Sequence, residues 1–135
     1  MSFNVGDKIS ISQKITNEMV LHFAEVSGDR NPIHVDDEYA KKTRFGKRIA
    51  HGMISAALIS RALGMNLGPG GIYLGQTLKF VNPVFIDETL IVELTVMQKR
   101  EEKGIAIIDT LVKKETGEIV VKGEATIMMG KNITA

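Results

Sequence analysis

A carboxylate, an amide and an imidazole stand close together in Ser27-Gly28-Asp29-Arg30-Asn31-Pro32-Ile33-His34. An acid and an imidazole brought to one water molecule form a general acid/base pair that works near neutral pH. Asn31 has both a donor and an acceptor with which to orient one of them. Gly28 can take backbone conformations closed to other residues, while Pro32 stops a helix from running through it and pushes Asn31 toward extended geometry. The segment is therefore expected to be a sharply bent loop, with neither Asp29 nor His34 on a helix and both turned toward one point. Plain structure can use the same residues, with Asp29 as a helix cap and His34 packed at the start of the next element. The Asp-to-His spacing alone favours that plainer role; the complete octapeptide favours chemistry.

Ala50-His51-Gly52-Met53 opens an apolar stretch. Backbone N–H groups in a helix's first turn lack intrahelical partners and carry partial positive charge. Gly52 has no side chain to block an approaching group, so its N–H could hold a carbonyl oxygen that becomes negative during reaction. Equally, Gly52 could allow tight helix–strand packing, with His51 merely starting the helix. The remaining candidates are plainer. His22 reads as a solvated helix residue, and Asp36-Asp37-Glu38 as helix capping. His34 with Asp36 offers too few ligands for zinc or a hard cation, so no metal is expected. The seven methionines read as core filler, and Gly68-Pro69-Gly70-Gly71 is a loop breaker rather than a phosphate cradle.

What must position these groups follows from the chain as a whole. Its 135 residues suit a single domain, 1–135, and 44% apolar with 24% charged residues is an ordinary globular balance. A net charge of +1 gives no basic field for nucleic acid. The absence of cysteine excludes disulfides, thiolate nucleophiles and Cys-bearing zinc sites. Residues Met1–Lys8 lack the pattern of a signal peptide, and the apolar run Ile54–Leu63 is too short and too interrupted to span a bilayer. A cytoplasmic location, with no membrane contact, is the expectation.

Along the chain, Lys8–Ser12 alternates as a strand, and a helix runs from its cap Thr16 to its stop Gly28. A short helical stretch is capped by Asp36 and ends near Gly46. Gly52–Leu63 is apolar on almost every face, so it is expected to be a helix enclosed on all sides. Strands follow at Ile72–Val81, Leu90–Lys99, Ile105–Lys113 and Glu118–Met129, the last three joined by tight turns that imply antiparallel hairpins. The result is an α+β domain: a five-stranded antiparallel sheet around one long central helix.

Ser27-Gly28-Asp29-x-Asn31-Pro32-Ile33-His34, with Ala40 beyond it, resembles the signature of the hydratase-2, or MaoC-like, (R)-specific enoyl-CoA hydratases. Ala50-His51-Gly52-Met53, Ile72-Tyr73-Leu74-Gly75-Gln76 and Phe80-x-x-Pro83-Val84 resemble that family's later blocks in the same order. The resemblance implies a hot-dog fold, a homodimer joined edge to edge, and an acyl-CoA substrate near the subunit interface. It implies Asp29 and His34 as the catalytic dyad, Asn31 as their support, and the Gly52 N–H as the oxyanion hole for the thioester oxygen. Water would add across a trans-2-enoyl thioester to give the (R)-3-hydroxyacyl product. No cofactor is implied, since coenzyme A is part of the substrate. Leu63, Met65 and residues of the last strand are the expected walls for the acyl tail. Arg44, Lys47 and Arg48 are candidates to meet the coenzyme's phosphates. A hot-dog thioesterase and a non-catalytic acyl-thioester binding domain share the fold and substrate, so the fold alone does not separate them.

Overall fold

Alternation and turns account for most of the architecture. The computed structural model describes residues 3–130; the outermost residues of the expected 1–135 domain, 1–2 and 131–135, lie outside the described residues. Strand β1 (Lys8–Lys14) is followed by α1 (Asn17–Ser27), α2 (Pro32–Val35), α3 (Asp37–Lys41) and α4 (Gly52–Leu67). Then come β2 (Ile72–Phe80), β3 (Thr89–Arg100), β4 (Ile105–Lys114) and β5 (Ile119–Met128). The five strands form one antiparallel sheet in the order β1-β3-β4-β5-β2.

Register fixes the inner face of the sheet. Val92 pairs with Val112 and Val112 with Val121, while Val96 pairs with Ile108 and Ile108 with Ala125. These rows are buried, together with Leu90, Leu94 and Ile127. Against them α4 lays Ile54, Leu58, Ile59, Ala62 and Leu63, all buried. Each of the Ile and Leu side chains contributes about 1.5–3 kcal/mol of transfer free energy. The packing ties α4 to the sheet and so fixes where its N-terminus points.

Four expectations change. The segment after Gly28 is not all loop: Pro32–Val35 is a short helix, with Pro32 in its first turn and the Asn31 side chain as its cap. Proline stops a helix that arrives from its N-terminal side, yet its fixed φ and missing N–H suit the first helical position. The helix capped by Asp36 ends at Lys41, well before Gly46. Helix α4 runs on to Leu67, because nothing breaks it before Gly68. It is also not enclosed on all sides: Met53 is 52% exposed and Met65 68%, on the flank turned away from the sheet. This chain supplies one sheet, and one sheet covers one flank.

Candidate active site

The octapeptide is held by its own short-range hydrogen bonds. Helix α1 ends at Gly28, whose left-handed backbone (φ 79°) lets its N–H reach Ala24 O at 2.9 Å. Ser27 Oγ donates to Phe23 O at 2.6 Å and accepts from the Asp29 N–H at 3.0 Å. The Asp29 carboxylate accepts from the Asn31 N–H at 3.2 Å, and Asn31 Oδ1 accepts from the Ile33 N–H at 3.3 Å. Each polar side chain thus fixes the backbone two residues on, or the turn before it, and the bend carries its own scaffold.

His34 sits on α2 and is half-buried. Its Nδ1 lies 2.8 Å from Ile49 O. A carbonyl only accepts, so Nδ1 carries the proton and the lone pair is left on Nε2 in the neutral ring. Arg48 braces the segment from behind: its guanidinium donates to His34 O (3.0 Å), Asn17 Oδ1 (2.6 Å) and Asp37 Oδ1 (2.8 Å). These bonds remove Arg48 from the expected phosphate contacts; it is a structural clamp.

Sequence reasoning missed one member of this cluster. His51, at the start of α4, is buried at 3% exposure. Its Nε2 donates to the backbone oxygen of Asp29 at 2.9 Å. Its ring stacks on His34, with centroids 3.9 Å apart and planes 27° apart, and tilts against Phe23 at 4.9 Å. Asp29, His34 and His51 therefore each bring a polar side-chain atom within 4.8 Å of the others.

The N-terminus of α4 completes the arrangement. His51 supplies no side-chain cap and the Ile54 N–H donates to His51 O at 3.0 Å, so the Gly52 and Met53 N–H groups are the ones left for an anion or a polarised carbonyl. A pocket of about 420 Å³ opens there, lined by His34, Gly52, Ser55, Phe45, Phe80 and Val120 among others. Gly52 is half of a close contact: a Cβ built on it would lie 2.8–3.3 Å from the Phe80 ring. Leu63 and Met65 do not line this pocket; Leu63 is wholly buried against the sheet, and Met65 stands on the exposed flank of α4. The pocket's walls are the Phe80–Val84 segment, Phe45 and Val120, with Met53 and Ser55 from the first turn of α4, so the last strand is represented. Arg44 borders the same pocket, and Lys47 lies over the Phe85 ring at 4.7 Å. His22 is exposed, as expected.

The MaoC like domain model matches residues 4–119, a span that includes Asp29, His34, His51 and Gly52. The (R)-specific enoyl-CoA hydratase of Aeromonas caviae is 40% identical over 129 residues, 95% of this chain and 96% of that protein. This chain belongs to the MaoC-like family. The (R)-specific enoyl-CoA hydratase of Rhodospirillum rubrum is 42% identical over 125 residues, 92% of this chain and 86% of its own. Among solved structures, the unliganded R-hydratase PhaJ1 from Pseudomonas aeruginosa superposes with a TM-score of 0.91 at 48% identity. That match covers 96% of this chain and 83% of the other. The fold is the hot dog of these MaoC-like hydratases: an antiparallel sheet with one long helix packed on it.

Proposed function

We propose that this chain catalyses the reversible (R)-specific hydration of trans-2-enoyl-CoA to (R)-3-hydroxyacyl-CoA. The observation that carries the reading is the meeting, at one pocket, of an imidazole with a free nitrogen and the uncapped N-terminus of α4. The Asp29 carboxylate does not line that pocket but lies within 4.8 Å of the His34 imidazole. The names of relatives that span nearly the whole chain support the same reaction.

The chemistry follows from the groups. The thioester oxygen accepts from the Gly52 N–H, which polarises the conjugated double bond toward that oxygen. A water held between Asp29 and His34 attacks C3; its oxygen forms the new C–O bond as the π electrons move toward the thioester oxygen. The dyad takes the water's proton, and a proton passes to C2 on the same face as the electrons return. Carboxylate and neutral imidazole both accept protons, so either member can take the proton of a water held between them. Their spacing suits one bridging water. An oxyanion donor of this kind lowers the barrier by about 2.7–4 kcal/mol, and the proton transfers add about two to four orders of magnitude in rate. Asn31 supports the dyad by capping the helix that carries His34. Arg44 and Lys47 meet the coenzyme's phosphates, and no separate cofactor takes part.

A second copy of the chain belongs to the working unit. Strand β2 forms one edge of the sheet and exposes Ile72, Leu74 and Phe80, whereas the β1 edge turns Lys8, Ser10, Ser12 and Lys14 outward. An unblunted apolar edge is a pairing surface, so two β2 edges join the two sheets.

Crotonyl-CoA tests the reading. Loss of the conjugated-thioester absorbance without free thiol, and an (R)-3-hydroxy product on chiral analysis, are the expected results. Thiol release would instead make the chain a thioesterase, and saturable binding without turnover a binding domain. Asp29→Asn and His34→Ala are each expected to lower turnover by about two to four orders of magnitude in a folded protein. Near-normal rates in either variant would overturn the dyad.

A further inference from the structure

We propose that His51 is the positioning residue of the site: it holds the Asp29 loop and the His34 ring in their relative places and touches no substrate. The inference rests on the hydratase reading for its kinetic arm only. Among the described residues, His51 is the side chain that engages both Asp29 and His34. Its Nε2–H fixes the Asp29 backbone oxygen at 2.9 Å, and its ring face lies against the His34 ring at 3.9 Å. His34 is held at one edge by the Ile49 carbonyl, which leaves rotation about that bond to be limited by the stack. Phe23 backs the His51 ring from α1, so the stack cannot slide away from the pocket.

A second observation separates this role from ordinary packing. His51 Nδ1 is buried and has no hydrogen-bond partner among the described residues. An orphaned buried polar atom is unfavourable, and an aliphatic or phenyl side chain in the same slot would avoid it. Pure packing therefore gives no reason for histidine here. Histidine combines a flat face for His34 with an edge donor for Asp29, and phenylalanine or leucine does not. Because Nε2 donates, the proton sits there and Nδ1 is left as a bare acceptor, the less unfavourable of the two ways to bury it.

Three variants divide the two contacts. His51→Phe keeps the stack and loses the bond to Asp29; His51→Gln keeps an N–H donor and loses the ring; His51→Leu loses both. With crotonyl-CoA, kcat is expected to fall about tenfold to a hundredfold in His51→Leu and less in the other two, with KM changed by no more than about twofold. If kcat in His51→Leu and His51→Phe stays within about twofold of the parent, or falls only in step with the melting temperature and KM, the proposal fails. A second measurement does not depend on turnover. Long-range proton–nitrogen NMR is expected to show His51 as the Nε2–H tautomer. In His51→Gln and His51→Leu it should show His34 ring and Asp29 signals shifted while the β-strand amides stay put. Unmoved His34 and Asp29 signals would overturn the positioning role. If the parent protein hydrates no enoyl thioester, the hydratase reading falls and these spectra alone decide the role of His51.

Discussion

At Gly52 a backbone N–H and an aromatic ring share a space that holds no side chain. The Phe80 ring sits where a Cβ would be, and the same residue opens the helix that faces the pocket. Gly52→Ala is expected to push the Phe80 ring into the pocket and lower kcat/KM by about tenfold or more, since misplacement near 1 Å is enough for such losses. Phe80→Ala in the same chain should restore part of the loss; steady-state kinetics on the two single variants and the double variant measure the coupling. At this scale the sequence was informative where residue types announce themselves. Asp29, Asn31, His34 and Gly52 could be singled out because their spacing and their Gly and Pro neighbours restrict the backbone. His51 could not, because its partner is a backbone oxygen, which leaves no mark on residue type. One signal was there to be used: histidine stands where Ser, Thr, Asp or Asn would ordinarily cap a helix, and nothing else explains the choice.

Helix α2 has four residues, too few to persist by its own hydrogen bonds, so its cap and its clamp decide whether His34 is presented. Asn31→Ala removes the side-chain acceptor from the Ile33 N–H. The expected outcome is a loss of about 1 kcal/mol in chemical denaturation together with a kcat loss larger than that stability change explains. Asn31→Asp, which can still cap, should recover the stability. Pro32 illustrates how a correct local rule can give a wrong element. It does keep α1 from continuing, but the same ring geometry begins a new helix once a capping residue precedes it. The apolar surround of α4 misled in the other direction. Its exposed flank, with Met53 and Met65, is not covered by this chain. Periodicity reports which flanks are apolar and says nothing of which chain covers them.

Across the whole molecule the strands were the most legible part: alternation placed all five within two residues of their observed starts and ends, and the turns paired the last three. The order of the strands was not legible, because β1 and β2 pair with partners far along the chain. One polar knot in this sheet was also invisible beforehand. Lys114, 7% exposed, reaches Glu88 at 3.0 Å and Glu118 at 3.2 Å and faces the Phe85 ring. Burial by itself would lower the pKa of its ammonium, but the hydrogen bonds and charges of Glu88 and Glu118 outweigh burial and hold it above the usual 10.5. A raised folded pKa means that the stabilisation is fully present below pH 10.5 and fades as the pH climbs through the higher folded value. Lys114→Met is expected to cost about 1.5–3 kcal/mol at neutral pH, mostly through Glu88, because Glu118 is half-exposed and better screened. Thermal unfolding of parent and variant should keep a constant gap up to pH 10.5 and converge beyond it.

The strand order also governs how the molecule can be made. A ribosome releases the residues of the octapeptide and of α4 first, along with two strands that end up on opposite margins of the sheet and never touch each other. Nothing in that leading half can zip up alone; it waits for the β3–β4–β5 meander, whose close-spaced pairings are the quickest to close. The half of the polypeptide that carries the proposed site is thus left waiting for its sheet, and a nascent chain halted before β3 has those side chains with no platform to stand on.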